Sequence, residues 1–191
     1  NGAATYYRGI IRSLHARGHR ITFYESDMFD RQMHRDIPDP DWAEVVVYSS
    51  RRPDEALGAM ERAGQSDLLI KCSGVGVFDR LLEEAAPRAK SSSTVVAFWD
   101  VDAPATLDRM DADPEDYFHA CVGGYDLVLT YGGGDPVVQA YRARGARQCV
   151  PIYNAHDPDT HHPERPDDRF RADLAFLGNR LPDREARVER F

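Results

Sequence analysis

The chain has 191 residues and a formal charge of −8, from 24 Lys and Arg against 32 Asp and Glu; 42% of its residues are hydrophobic and 10% aromatic. That is enough for one globular domain with a remainder, and the negative balance argues against a nucleic-acid binder. No window approaches the roughly 18 consecutive apolar residues of a membrane span, and Cys72, Cys121 and Cys149 carry no paired spacing, so neither a disulfide framework nor a zinc knuckle is expected and a reducing cytoplasm fits.

Asn1-Gly2 reads as a loop entering a helix, so the natural N-terminus is expected upstream of it. Tyr7, Ile11 and Leu14 share one helical face, Gly18 is placed to end that helix in a left-handed cap, and Ile21 to Tyr24 reads as a strand. Val45 to Tyr48 is a second short apolar strand, Asp54 to Ala63 a helix with acids suited to its N-terminal dipole, and Asp67 to Cys72 a third strand. Ser73-Gly74-Val75-Gly76 closes it. Phe78 to Ala86 has helical spacing, Thr94 to Trp99 is a strand, and a helical or irregular stretch leads to the strand Tyr125 to Thr130. Tyr131-Gly132-Gly133-Gly134-Asp135-Pro136 is a loop before the helix Val137 to Arg144, and Gln148 to Tyr153 is the last strand of this series.

Short continuous apolar runs alternating with helices predict a parallel sheet buried on both faces, hence an α/β, Rossmann-like doubly wound domain over residues 1–155 that lacks its first strand. The polar, Pro-rich residues 156–170 read as a linker. Leu174 to Leu177 and a helix from about Asp183 then open another strand-loop-helix unit in residues 171–191. No internal repeat or low-complexity tract is present.

In an open parallel sheet, ligands bind beyond the carboxyl ends of the strands. Asn1-Gly2, Ser73 to Gly76, Asp100 to Pro104 and Tyr131 to Asp135 are all expected there. Strand periodicity puts Asp100 and Asp102 on one side, roughly 7 Å apart, where such a pair can hold a cation, orient sugar hydroxyls or act as base. With Pro104 at a first-turn position, Asp102 can equally be a helix N-cap. Asp100 follows the apolar Phe98-Trp99, and a buried carboxylate there requires a partner. Gly132-Gly133-Gly134 permits close backbone approach of a ligand but also suits a tight strand-to-helix turn. Gly178-Asn179-Arg180 offers an amide, a guanidinium and loop N–H groups to a diphosphate. The His156, Asp157, Asp159, His161 and His162 cluster matches no metal-ligand spacing, and Gly74-Val75-Gly76 lacks the third glycine of a dinucleotide fingerprint.

LHARGHRITFYES, FWDVDAPAT, YDLVLTYGGG, CVPIYNAHDPDTHHP and LAFLGNRLPDREARVERF together resemble the CgeB-like, spore-maturation type glycosyltransferases of the GT-B fold. Ala155-His156 stands where many relatives carry Gly-Val. The resemblance implies two facing Rossmann-like domains, the first on the acceptor side and the second binding a nucleotide-diphosphate-sugar donor, with no resident cofactor and no obligatory metal. It further implies Asn1 and Gly2 beside the sugar, Asp100 and Asp102 facing the transferred sugar or acceptor hydroxyl, and Asn179, Arg180 and Arg184 at the diphosphate; the position of Asp100 at a strand's carboxyl end makes it the expected catalytic residue, and Gly132 and Gly133 are expected to bind substrate through their backbone. The expected partners are that donor and an acceptor whose identity, like the oligomeric state, the residues do not reveal. Two other readings stay open: a non-catalytic Rossmann-like sugar- or nucleotide-binding module, and a metal-dependent Asp-x-Asp transferase of another fold.

Overall fold

A computed structural model describes residues 2–35, 37–74, 76–153, 157–159, 161–175 and 182–190. The chain divides into two compact units, Asn1–Asp157 and Pro158–Phe191.

The first unit is an α/β assembly of parallel strands flanked by helices. Its elements run α1 (Gly2–Ala16), β1 (Thr22–Asp27), β2 (Glu44–Ser49), α2 (Pro53–Ala63), β3 (Leu68–Cys72), α3 (Asp79–Ala89), β4 (Val95–Asp100), α4 (Ala103–Ala112), α5 (Tyr117–Cys121), β5 (Leu127–Thr130), α6 (Gly134–Ala143) and β6 (Cys149–Pro151). The strands form two parallel sheets, β1-β2 and β3-β4-β5-β6. Register is fixed by pairs such as Phe23 with Val45, Cys72 with Trp99 and Asp100 with Thr130. This is the Rossmann-like class that the alternation of apolar runs predicts. β4 is its centre: Val96, Ala97, Phe98, Trp99 and Asp100 are all buried, as expected of a strand covered on both faces.

The two faces of the four-stranded sheet are covered differently. On one, Leu69, Val96, Phe98 and Val128 pack with Ala56 and Met60 of α2, Leu82 and Ala86 of α3, Leu107 and Met110 of α4, Phe118 of α5, and Val138 and Tyr141 of α6. On the other, Ala97, Trp99 and Leu129 pack with Tyr6, Tyr7 and Ile10 of α1. Gly18 ends α1 as predicted: its φ is 91° and the His19 N–H reaches back to the Leu14 carbonyl at 3.2 Å. The stretch left open between the fourth and fifth strands resolves into α4, α5 and a 3₁₀ turn, with Asp116 capping α5 by accepting from the Phe118 N–H at 2.9 Å.

At the amino ends of the strands, Asp126 ties three elements together. Its carboxylate accepts from the Val96 N–H at 2.9 Å, from Lys90 at 2.9 Å and from Arg147 at 3.1 Å. The Val96 amide, then Lys90 and Arg147, hold its pKa below the usual carboxylate range against the opposing effect of desolvation. A depressed folded pKa contributes stability that is full above the ordinary Asp range and is lost as pH falls through the folded value. The Asp126→Ala chain is therefore expected to unfold at lower urea concentration than the parent at pH 7, by about 1–3 kcal/mol, with the gap closing on acidification. A gap that stays constant from pH 7 to pH 3 contradicts this assignment.

In the second unit the described elements are a 3₁₀ turn, Asp168–Phe170, and α7, Pro182–Val188. Phe170 and Leu174 are 79% and 80% exposed, so the described residues build no core there. Leu174 lies in a bend, and the rest of the strand expected at Leu174 to Leu177 falls largely outside the described residues.

Candidate functional site

The carboxyl ends of β3, β4 and β5 bring Ser73, the Asp100–Asp102 turn and Gly132–Gly134 to one edge of the sheet. The tie between them is Asp100. Its Oδ1 accepts from the Ser73 hydroxyl at 2.9 Å and from the Asp102 N–H at 3.0 Å, and its Oδ2 accepts from the Tyr141 hydroxyl. Ser73 Oγ in turn accepts from the Val101 N–H at 2.8 Å. One carboxyl thus joins the β3 loop, the β4 loop and α6.

Asp100 and Asp102 differ in burial and in partners. Asp100 is wholly buried and surrounded by donors. The Asp100 side chain, expected from sequence to be catalytic, is thus spent on hydrogen bonds within the fold. Asp102 occupies the N-cap position of α4, but its side chain makes no capping hydrogen bond; only its carbonyl serves the helix, accepting from the Thr106 N–H at 3.1 Å. Its carboxylate is exposed at the rim. The physical reason is register: Asp100 falls in phase with Val96 and Phe98, whose side chains enter the core against α6, whereas Asp102 lies past the strand's end.

After β5, Gly132, Gly133 and Gly134 have φ values of 152°, 82° and 55°. The turn reading holds for Gly133, the N-cap of α6: a Cβ there would collide with the Val137 side chain. The same loop is overlaid by Tyr153, 65% exposed, whose ring lies 3.4 Å from the position of a Cβ on Gly132. Gly2 opens α1. Asn1, Asn179 and Arg180 lie outside the described residues, and Arg184 is described only as a position on α7.

On the α1 side of the same edge, Tyr6, Tyr7, Trp99 and Tyr131 cluster with ring centroids 5.0 to 6.2 Å apart, edge to face except for the tilted Tyr6–Tyr7 pair. The Tyr6 hydroxyl and Trp99 Nε1 are buried without a hydrogen-bond partner among the described residues. Burial pushes the Tyr7 hydroxyl far up, with Cys72 and Tyr131 beside it.

Sequence reasoning missed a buried ionic cluster behind β3. Lys71 Nζ lies 3.0 Å from Asp79, 3.6 Å from Glu83 and 2.6 Å from the Cys72 carbonyl, and the Tyr117 hydroxyl donates to Glu83 at 2.8 Å. Burial pushes the Glu83 carboxyl up, with Lys71 and Tyr117 opposing. A lysine inside the apolar run LLIKC was the available signal, since an apolar strand buries a charge only with a partner. Asp157, assigned to the linker, is itself buried: it packs against Gly9 of α1, with Arg12 3.5 Å away.

Among the described residues, no group of three His, Cys, Asp or Glu side chains gathers in a way that could hold a metal ion. No described helix is long and apolar enough to cross a membrane. Comparison with family models, with curated proteins and with solved structures finds no match. The class that fold and site define is thus a Rossmann-like α/β domain with a loop-built edge at the carboxyl ends of its strands.

Proposed function

We propose that the chain is part of a nucleotide-sugar-dependent glycosyltransferase of GT-B type, transferring a sugar to an acceptor hydroxyl at the carboxyl edge of β3, β4 and β5. The observation that carries this reading is the tie through Asp100, which holds the β3 loop, the β4 turn and α6 in one fixed arrangement. In open parallel sheets this is the end at which ligands bind. The exposed Asp102 carboxylate is then the group suited to orient or deprotonate the acceptor. The Gly132–Gly133 turn, with Tyr153 above it, offers backbone and an aromatic face to a sugar ring. Asp100, Ser73 and Tyr141 position these groups without touching substrate.

Thermal unfolding of the protein against UDP-, GDP- and dTDP-sugars, followed by donor hydrolysis and transfer assays, tests the proposal. At least one donor is expected to raise the melting temperature. Asp102→Asn is expected to lower turnover about 10²- to 10⁴-fold while leaving the melting temperature unchanged, because that carboxylate makes no capping bond. Failure of every donor to shift the melting temperature sinks the proposal. Full turnover in Asp102→Asn sinks the role of that residue. One observation favours the rival reading, a non-catalytic binding module: the buried carboxyl of the pair is spent on structure. On that reading a donor binds and is never turned over.

A further inference from the structure

We infer that Tyr6, Tyr7, Trp99 and Tyr131 form a binding site for one ring of an uncharged saccharide, at the carboxyl edge of the sheet on the face that α1 covers. The saccharide binds there whether or not it accepts a sugar, so the site goes beyond the transfer proposed above.

The cluster holds polar atoms that the fold does not use. Tyr6 and Trp99 are 8% and 5% exposed, yet the Tyr6 hydroxyl and Trp99 Nε1 have no hydrogen-bond partner among the described residues. A polar group buried in this way costs stability, and an apolar group of the same shape in its place is close to neutral or better. Phenylalanine is that replacement for a tyrosine. The Tyr6 hydroxyl therefore finds its use in something that arrives, and it stands at the end of a parallel sheet where ligands bind.

The polarity of the cluster selects the ligand. An indole N–H only donates. Burial, first of all, raises the Tyr6, Tyr7 and Tyr131 hydroxyls, so each keeps its proton at neutral pH and has one to donate. Acceptor oxygens are what such a group of donors takes. The groups that act on the Tyr6 and Tyr131 hydroxyls are each other, Tyr7 and Cys72, with no charged side chain among the described residues. An anion placed here lacks a counter-charge, and a cation meets donors. A neutral, oxygen-rich molecule fits both conditions.

The shape of the cluster narrows the choice further. Four of the five ring pairs cross at 78° to 86°, edge to face. Crossed rings leave no two parallel faces to clamp a planar base. They offer apolar surface on which the C–H face of a sugar ring packs while its oxygens take the donors. Tyr7 and Tyr131 are only half-buried, so the cluster reaches solvent through them. Tyr131 follows β5 and precedes three glycines of positive φ, and its ring turns aside at little backbone cost to admit the ligand to Tyr6 and Trp99.

Trp99 is the natural reporter. The chain has two tryptophans, and Trp42→Phe leaves Trp99 as the single indole emitter. Its fluorescence is titrated with the methyl glycosides of glucose, galactose, mannose and N-acetylglucosamine, and with inorganic phosphate and uridine for comparison. Calorimetry on the parent chain repeats the series without the Trp42 change. At least one methyl glycoside is expected to shift the emission saturably and to bind more tightly than phosphate or uridine. Tyr6→Phe and Tyr131→Phe are each expected to weaken that binding about 10-fold, as the loss of one hydrogen bond does, while melting at or above the parent temperature. No binding of any glycoside by either method overturns the inference, and so does tighter binding of phosphate or uridine. Parental affinity in both phenylalanine variants overturns it too. A Tyr6→Phe chain that melts well below the parent does the same, because the hydroxyl then serves the fold. Nucleotide-sugar donors take no part in this assay, so its failure leaves transfer at Asp102 standing, and failure of every donor leaves this site standing.

Discussion

Replacing Asp100 with alanine is expected to remove about 3–5 kcal/mol of stability, read as a lowered urea midpoint, because it strips the acceptor from one buried and one half-buried hydroxyl at once. Ser73 and Tyr141 both donate to this carboxyl, and Tyr141 is fully buried. Asp100→Asn keeps an oxygen for Ser73 and for the Asp102 N–H and is expected to cost less than half as much. Tyr141→Phe removes a single bond and is expected to fall between the two. A folded Asp100→Asn chain of parental stability that loses all sugar transfer reverses the assignment made here and makes Asp100 a catalytic residue after all.

Lys71→Met is expected to be comparably damaging, about 3–5 kcal/mol, since removing the cation leaves Asp79 and Glu83 close together and largely out of water. Glu83→Gln alone is expected to cost little, because burial already favours its neutral form. The double variant Lys71→Met/Glu83→Gln is expected to regain a large part of the loss; simple additivity of the two single effects rules out the coupling. The sign with pH follows from the raised Glu83 value. A raised folded pKa gives stability that is full below the ordinary Glu range and is lost as pH rises through the folded value. Lys71→Met pushes that value further up, so its deficit is expected to grow between pH 4 and pH 8.

The β-strands are legible because most are short apolar runs between helical stretches. Gly18 and Gly133 were legible because a left-handed residue between a helix and a strand leaves few alternatives. The fate of the Asp pair was not. Asp100 draws its donors from Ser73 and Tyr141, 27 and 41 residues away, and no local pattern announces a contact across that distance. Asp102 stands where a cap belongs and has the right side chain for it, yet only its carbonyl serves the helix. The Lys71 cluster was half visible: the charge inside the strand is plain, but its partners come from α3 and Tyr117.

Lys71 and Lys90 are the only two lysines in the chain. One is enclosed by carboxylates and the other is held by Asp126. An amine-selective label or a lysine-specific protease therefore finds few openings while the fold is intact, and Lys71 becomes a reporter of its loss. Counting labelled Lys71 in a mixed population measures the fraction of molecules that have opened, with no engineered probe and no spectroscopic signal.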